Sequence, residues 1–141
     1  MLREAEERDI AAIQQVRASV RENRLVSTVI SDDDVRRAIE VTGRGWVVEQ
    51  EGAVVAFAIG NGTDGNVWAL FVHPDHERRG PGRRLHDVLV AWLWSRGLER
   101  LWLTTAPGTR AEKFYAAAGW VRTGTTTRGE IRFELKRPGP K

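Results

Sequence analysis

Residues 72–85 read V-H-P-D-H-E-R-R-G-P-G-R-R-L. An apolar run, Val67 to Val72, precedes the turn, and a helical pattern, Leu85 to Trp94, follows it. A strand therefore feeds a glycine-containing, arginine-rich turn that opens into a helix. The first N–H groups of a helix lack internal partners and carry partial positive charge, so such a junction attracts anions. Gly80 and Gly82 have no Cβ to hold a ligand away from the backbone. Arg78, Arg79, Arg83 and Arg84 add guanidinium forks suited to phosphate. The stretch predicts a site for a phosphorylated cofactor.

Outward from this turn, the chain alternates helical and extended patterns. Leu2 to Ala5 predicts a short strand. Asp9 predicts the cap of a helix with Ile10, Ile13, Val16 and Val20 on one face. Ser31, with Asp34 three residues on, predicts a capping box for a second helix running to about Val41. Trp46 to Gln50 and Val54 to Ile59 flank Glu51-Gly52, a hairpin signature. The loop Gly60 to Gly65 lies between two strands and lacks a following Lys-Ser/Thr, so it reads as a turn and not as a phosphate loop. After the helix at Leu85, closed by Gly97, Leu98 to Thr105 predicts a strand. Thr109 caps a short helix, Arg110 to Ala118, and Trp120–Thr123 with Glu130–Lys136 predict a last antiparallel pair. The fold class is α/β, a mixed α+β sheet with helices on its faces, in the order β-α-α-β-β-β-α-β-α-β-β.

Composition narrows the function. With 141 residues the chain suits one domain, read here as residues 1–136 with a flexible basic tail at 137–141. There is no cysteine, which excludes disulfides and thiol chemistry. No stretch approaches the roughly 20 apolar residues of a membrane span, and the charged N-terminal residues lack an apolar signal core, so a cytoplasmic location is expected. His73, His76 and Glu77 suggest a metal motif. Pro74, however, forbids the helix that would align them, and no metal is expected. The arginines cluster at one turn without interleaved aromatics, which suits a small phosphate ligand better than nucleic acid.

Two segments carry a family resemblance. Residues 72–82 join a strand ending V-x-P to E-R-R-G-P-G, and residues 111–120 read A-E-K-F-Y-A-A-A-G-W. In this order, separated by a helix and a strand, they resemble the GNAT acetyltransferase superfamily over nearly the whole chain. The resemblance implies a single domain with splayed central strands and acetyl-CoA as co-substrate. Its diphosphate would lie on Arg78, Arg79, Gly80, Gly82 and Arg83, and its pantetheine would run between the strand of Phe71-Val72 and the strand of Leu101 to Thr105. Tyr115 matches the family's general acid, an oxyanion donor is expected near Phe71, and a homodimer is the family-level expectation. Two positions depart from the pattern: Glu77 stands for Gln or Arg, and Pro81 removes an amide.

Such chemistry needs a neutral amine. A lysine-like amine has a pKa near about 10.4, so roughly one molecule in a thousand is neutral at pH 7 and a base matters. The family position for a carboxylate is occupied by Trp68, Ala69 and Leu70, leaving Glu130, Glu22 or a water chain. The resemblance implies that an acceptor meets the first two helices and the last hairpin, which here offer Arg17, Arg21, Glu22, Asn23, Asp32 to Asp34 and Glu130. The tryptophans read mostly as core, with Trp46 or Trp68 as the alternative pocket aromatics. The expected function is acetyl transfer to a primary amine of a small molecule or peptide. A catalytically silent acyl-CoA-binding module is the alternative.

Overall fold

The computed structural model describes residues 1–20 and 30–138; for Glu77, Arg78 and Arg79 only the backbone is described. The strands are β1 (Leu2–Glu4), β2 (Gly43–Gln50), β3 (Ala53–Asn61), β4 (Val67–Val72), β5 (Arg100–Thr105), β6 (Val121–Thr125) and β7 (Ile131–Lys136). The helices are α1 (Ile10–Ser19), α2 (Asp32–Glu40), α3 (Pro81–Ser95) and α4 (Arg110–Ala117). One sheet runs β1-β2-β3-β4 and a second runs β5-β7-β6, every neighbour antiparallel.

The centres of β2 and β3, Trp46–Val48 and Val54–Ile59, read as continuous apolar runs because helices cover both faces. On one face Trp46, Val48, Ala56 and Ala58 meet Leu85, Leu89 and Leu93 of α3, one stripe at i, i+4, i+8. On the other, Val47, Phe57 and Ile59 meet Ile10, Ile13 and Val16 of α1 and Val35 and Ile39 of α2. The alanines on β3 let α3 approach closely. Each fully buried leucine contributes about 2 kcal/mol of transfer free energy. At the hairpin, Glu51 and Gly52 both take positive φ, 54° and 80°, as the two-residue turn requires.

The capping box at α2 forms: Asp34 N–H donates to Ser31 Oγ at 3.1 Å, and Ser31 N–H to Asp34 Oδ2 at 2.9 Å. Asp9 does not cap α1. Its buried carboxylate turns back, accepts from the Glu6 amide at 2.8 Å and takes both terminal nitrogens of Arg3 at 2.8 Å. A charge pair at the β1 edge outcompetes the cap because Arg3 is also held by Glu49.

Arg137, the first residue of the expected tail, is hydrogen-bonded to the domain. Arg137 N–H bonds the Glu99 carbonyl at 3.0 Å, and its guanidinium donates to the Trp94 and Leu98 carbonyls. Residues 139–141 lie outside the described residues.

Candidate active site

β4 and β5 run parallel but touch at one end. Trp102 N–H donates to the Gly65 carbonyl at 3.1 Å, and Asn66 Nδ2 donates to the Trp102 carbonyl at 3.3 Å. Beyond that single bridge no ladder joins them among the described residues. The cause lies in β4, where Ile59 pairs with Ala69 and Gly60 with Val67, leaving Trp68 unopposed. A bulge of this kind bends its strand and ends regular pairing.

Peptide direction decides which groups face the gap. His73 N–H bonds the Val55 carbonyl at 2.8 Å, and Phe71, two residues back, also points at β3. Leu70 and Val72 therefore turn their N–H and C=O groups toward β5. Phe71's own amide is spent on the sheet, so the amides beside it that face the gap are those of Leu70 and Val72. On β5, the Arg137–Glu99 bond sets the alternation, and Thr104 faces the gap. Buried backbone groups left without partners are costly, so an extended ligand that pairs with them is favoured.

The gap widens into a cleft of about 560 Å³. Its walls are Leu70, Phe71 and Val72 of β4 and Thr104, Thr105 and Ala106 at the end of β5. Gly80, Gly82 and Arg83 close it at the start of α3, and Arg110, Lys113, Phe114 and Tyr115 close it from α4. Val20 and Glu130 complete it.

At the turn, Pro74–Arg79 form a 3₁₀ segment and Gly80 takes the left-handed conformation, φ 78° and ψ 12°. Pro81 is the first residue of α3, where a missing N–H removes a donor the helix would not have used itself. Arg84 N–H reaches the Gly80 carbonyl only at 3.4 Å. The Gly82 and Arg83 amides precede the first intrahelical acceptor and remain for an anion. A Cβ on Gly82 would lie 3.4 Å from Val72 Cγ2 and 3.9 Å from Phe114 Cε1, on the cleft wall.

Behind this turn stands a network the sequence reading missed. Buried His86 accepts from the Trp120 indole N–H at 2.9 Å through Nε2. An indole only donates, so the remaining proton sits on Nδ1 and is donated to Asp87 Oδ1 at 2.9 Å. Asp87 also holds Arg83 Nε at 3.2 Å. Tyr115 is 5% exposed, with its ring edge-on to Phe114 at 5.2 Å and Trp120 at 5.6 Å. Burial raises its phenol above the ordinary range, so it stays protonated at neutral pH and can give a proton.

Of the residues singled out from the sequence, Phe71, Val72, Gly80, Gly82, Arg83, Tyr115 and Glu130 share this cleft. The backbone of Arg78 and Arg79 lies on the 3₁₀ segment, and their side chains, like that of Glu77, lie outside the described ones. Arg21, Glu22 and Asn23 also lie outside the described residues. Arg17 and Asp32 to Asp34 do not line the cleft. Trp46 is core, edge-on to Trp92 at 5.7 Å, and Trp68 lines a separate hollow beside Asp33, Asp34 and Arg37. Neither aromatic serves the cleft, because β-alternation and the bulge direct them elsewhere. Arg110, Lys113 and Phe114 were missed; their i, i+3, i+4 spacing was the available signal for one helix face.

The fold and cleft define an acyltransferase of the splayed-sheet type, and the sequence agrees. Residues 9–120 match the Acetyltransferase (GNAT) family, and the chain belongs to that family. No curated protein sequence matches it significantly. Among solved structures it is similar to the ribosomal-protein-S18-alanine N-acetyltransferase of Escherichia coli: TM-score 0.77 and 22% identity, over 96% of this chain and 92% of that one. It is also similar to the PaiA N-acetyltransferase of Thermoplasma acidophilum in complex with coenzyme A: TM-score 0.81, 12% identity, 97% and 98% covered. An aminoglycoside 6′-N-acetyltransferase complexed with coenzyme A gives TM-score 0.81 at 15% identity, with 100% and 99% covered. At these identities the likeness concerns the fold.

Proposed function

We propose that the protein is an N-acetyltransferase that moves the acetyl group of acetyl-CoA to a primary amine of a small molecule or peptide. The amine attacks the thioester directly, with no acyl-enzyme intermediate. The observation that carries this reading is the gap between β4 and β5, which opens beside the free amides of α3. The residues present fit the carrier. The Gly82 and Arg83 amides and the Arg83 guanidinium would hold its diphosphate, with the Gly80 turn setting the approach. Leu70, Val72 and Thr104 would pair with its extended arm as a missing strand does. The volume lies within the range of about 300–1,000 Å³ usual for small-molecule sites.

In this reading the outward amide of Leu70 or Val72 stabilises the oxyanion of the tetrahedral intermediate. Tyr115 protonates the departing thiolate. A thiol of pKa about 8.5 is already a tolerable leaving group, so Tyr115 assists more than it enables. Arg78 and Arg79 would add charge at the diphosphate. The reading also takes residues 1–136 as one domain, on chain length, together with a cytoplasmic setting and, on the family resemblance, a homodimer. No helix among the described residues is long and apolar enough to cross a membrane.

The test combines calorimetry with a free-CoA assay. The expected outcome is binding of CoA at near-physiological salt, and release of CoA from acetyl-CoA when a suitable primary amine is supplied. Absence of CoA binding at near-physiological salt would refute the site. Binding without release, across a broad panel of amines and peptides, would refute the transferase reading.

A further inference from the structure

The cleft opens where the sheet splays, with its cationic side chains coming from α3 and α4 and its one carboxylate from the turn before β7. On the α3/α4 face stand Gly82, Arg83, Lys113 and Tyr115. On the α1 face stand Val20, Phe71 and Glu130. Strand alternation sets the sides. Ile131 and Phe133 enter the core with Tyr115; Glu130 stands one residue before β7, where its carbonyl still accepts from Thr126 N–H, and continued alternation turns it to the opposite face. Phe71 packs with the α1/α2 cluster on that same face.

Glu130 is the one carboxylate on the cleft wall among the described residues. It is half-buried. Its N–H donates to Thr126 Oγ1 at 3.1 Å, and its carbonyl accepts from the Thr126 N–H at 2.8 Å, so its backbone is fixed. The other charged groups on the cleft wall are cationic, Arg83 from α3 and Arg110 and Lys113 from α4, and Arg128 lies in the hairpin loop that carries Glu130. Arg132, next on its face of β7, stacks over Trp102 at 4.5 Å and bonds Glu134, turned to its own strand neighbours.

The geometry points to Glu130 as the general base for a cationic amine acceptor, acting directly or through one water. This rests on the transferase reading above. The ammonium N–H bond breaks and its proton passes to the Glu130 carboxylate. The nitrogen lone pair forms the C–N bond at the thioester carbonyl, and the C–S bond breaks. The thiolate leaves on the opposite face and takes the Tyr115 proton. The nitrogen's second proton returns to Tyr115 through water, and Glu130 releases its own to solvent. Entry and exit on opposite faces of the sheet match an acceptor and a carrier that never exchange places.

The experiment compares wild type, Glu130→Gln, Glu130→Asp and Glu22→Gln. Acetyl-CoA affinity is measured by calorimetry. CoA release is followed from pH 6 to 10 with n-butylamine, spermidine and an alanyl-terminated peptide as probes. Glu130→Gln is expected to bind acetyl-CoA as wild type does and to lose about 10²-fold in kcat/KM at pH 7. The gap should close toward pH 10, because the neutral amine fraction grows about tenfold per pH unit below its pKa. Glu130→Asp should recover part of the loss. A pH-independent loss, an unchanged rate, or the same profile in Glu22→Gln instead would overturn the assignment. So would a wild type that binds acetyl-CoA but acetylates none of the probes, which leaves the carrier site standing. Failure of wild type to bind acetyl-CoA would overturn the parent reading.

Discussion

Gly80 and Gly82 lie two residues apart in the same turn, yet alanine at each should do opposite things. Gly80 has φ 78°, and a Cβ there would touch nothing within 4 Å. Its substitution is a backbone problem. The left-handed conformation costs an L-residue roughly 1–2 kcal/mol, offset by about 0.4–1 kcal/mol of lost unfolded-chain entropy. Gly80→Ala should therefore lose about 1 kcal/mol, or roughly 2–4 °C in Tm for a chain of this size. Gly82 is helical, and its new methyl would make ordinary contact with Val72 and Phe114. Alanine gains up to about 1 kcal/mol over glycine in a helix, so Gly82→Ala should match or exceed wild-type stability. That methyl also stands on the wall where a diphosphate must reach the Gly82 and Arg83 amides. Losing one charge-assisted hydrogen bond there costs about 1.5–3 kcal/mol, or roughly 10- to 100-fold in Kd. Thermal melts and CoA calorimetry on the two variants decide the matter. A Gly82→Ala protein that melts like wild type and binds CoA equally well would refute the placement of the diphosphate.

Three further outcomes follow from the geometry. Tyr115→Phe should keep the fold and lower kcat by about 10²-fold with little change in KM for acetyl-CoA; because burial raises the phenol, the wild-type kcat profile should show no descending limb from it below pH 10. Trp120→Phe removes the donor to buried His86 Nε2 and should cost about 1–3 kcal/mol in denaturant unfolding, with wild-type stability counting against the hydrogen bond. Arg3 holds the Asp9 carboxyl below its ordinary range, so the stability this pair supplies is present above the unfolded pKa of about 3.9 and lost as pH falls through the lower folded value. Asp9→Asn should accordingly lose about 2–4 kcal/mol at pH 7 and show a flatter Tm between pH 5 and 2 than wild type.

Much of this was legible from local chemistry. The span of β4, the hairpin at Glu51-Gly52 and the capping box at Ser31 each depend on residues within a few positions of one another. Such features obey φ/ψ and capping rules that act over one turn, and single-sequence reading captures them. Asp9 misled for the complementary reason. As a cap it looked local, but its real partners are Arg3 and, through Arg3, Glu49 on another strand. Which side Trp46 and Trp68 face was likewise not legible locally, because it depends on pairing register and on a bulge that leaves no mark in composition.

By itself, then, the order of elements and the anion-attracting turn at residues 72–85 were determined by sequence, through periodicity and glycine and proline stereochemistry. Which groups meet across the cleft was decided only by the tertiary structure. The unopposed Trp68 bends β4 away from β5, peptide alternation turns Leu70, Val72 and Thr104 into the gap, and the β7 register carries Glu130 to the face opposite Tyr115. Those placements rest on hydrogen bonds between residues tens of positions apart, and no local rule encodes them.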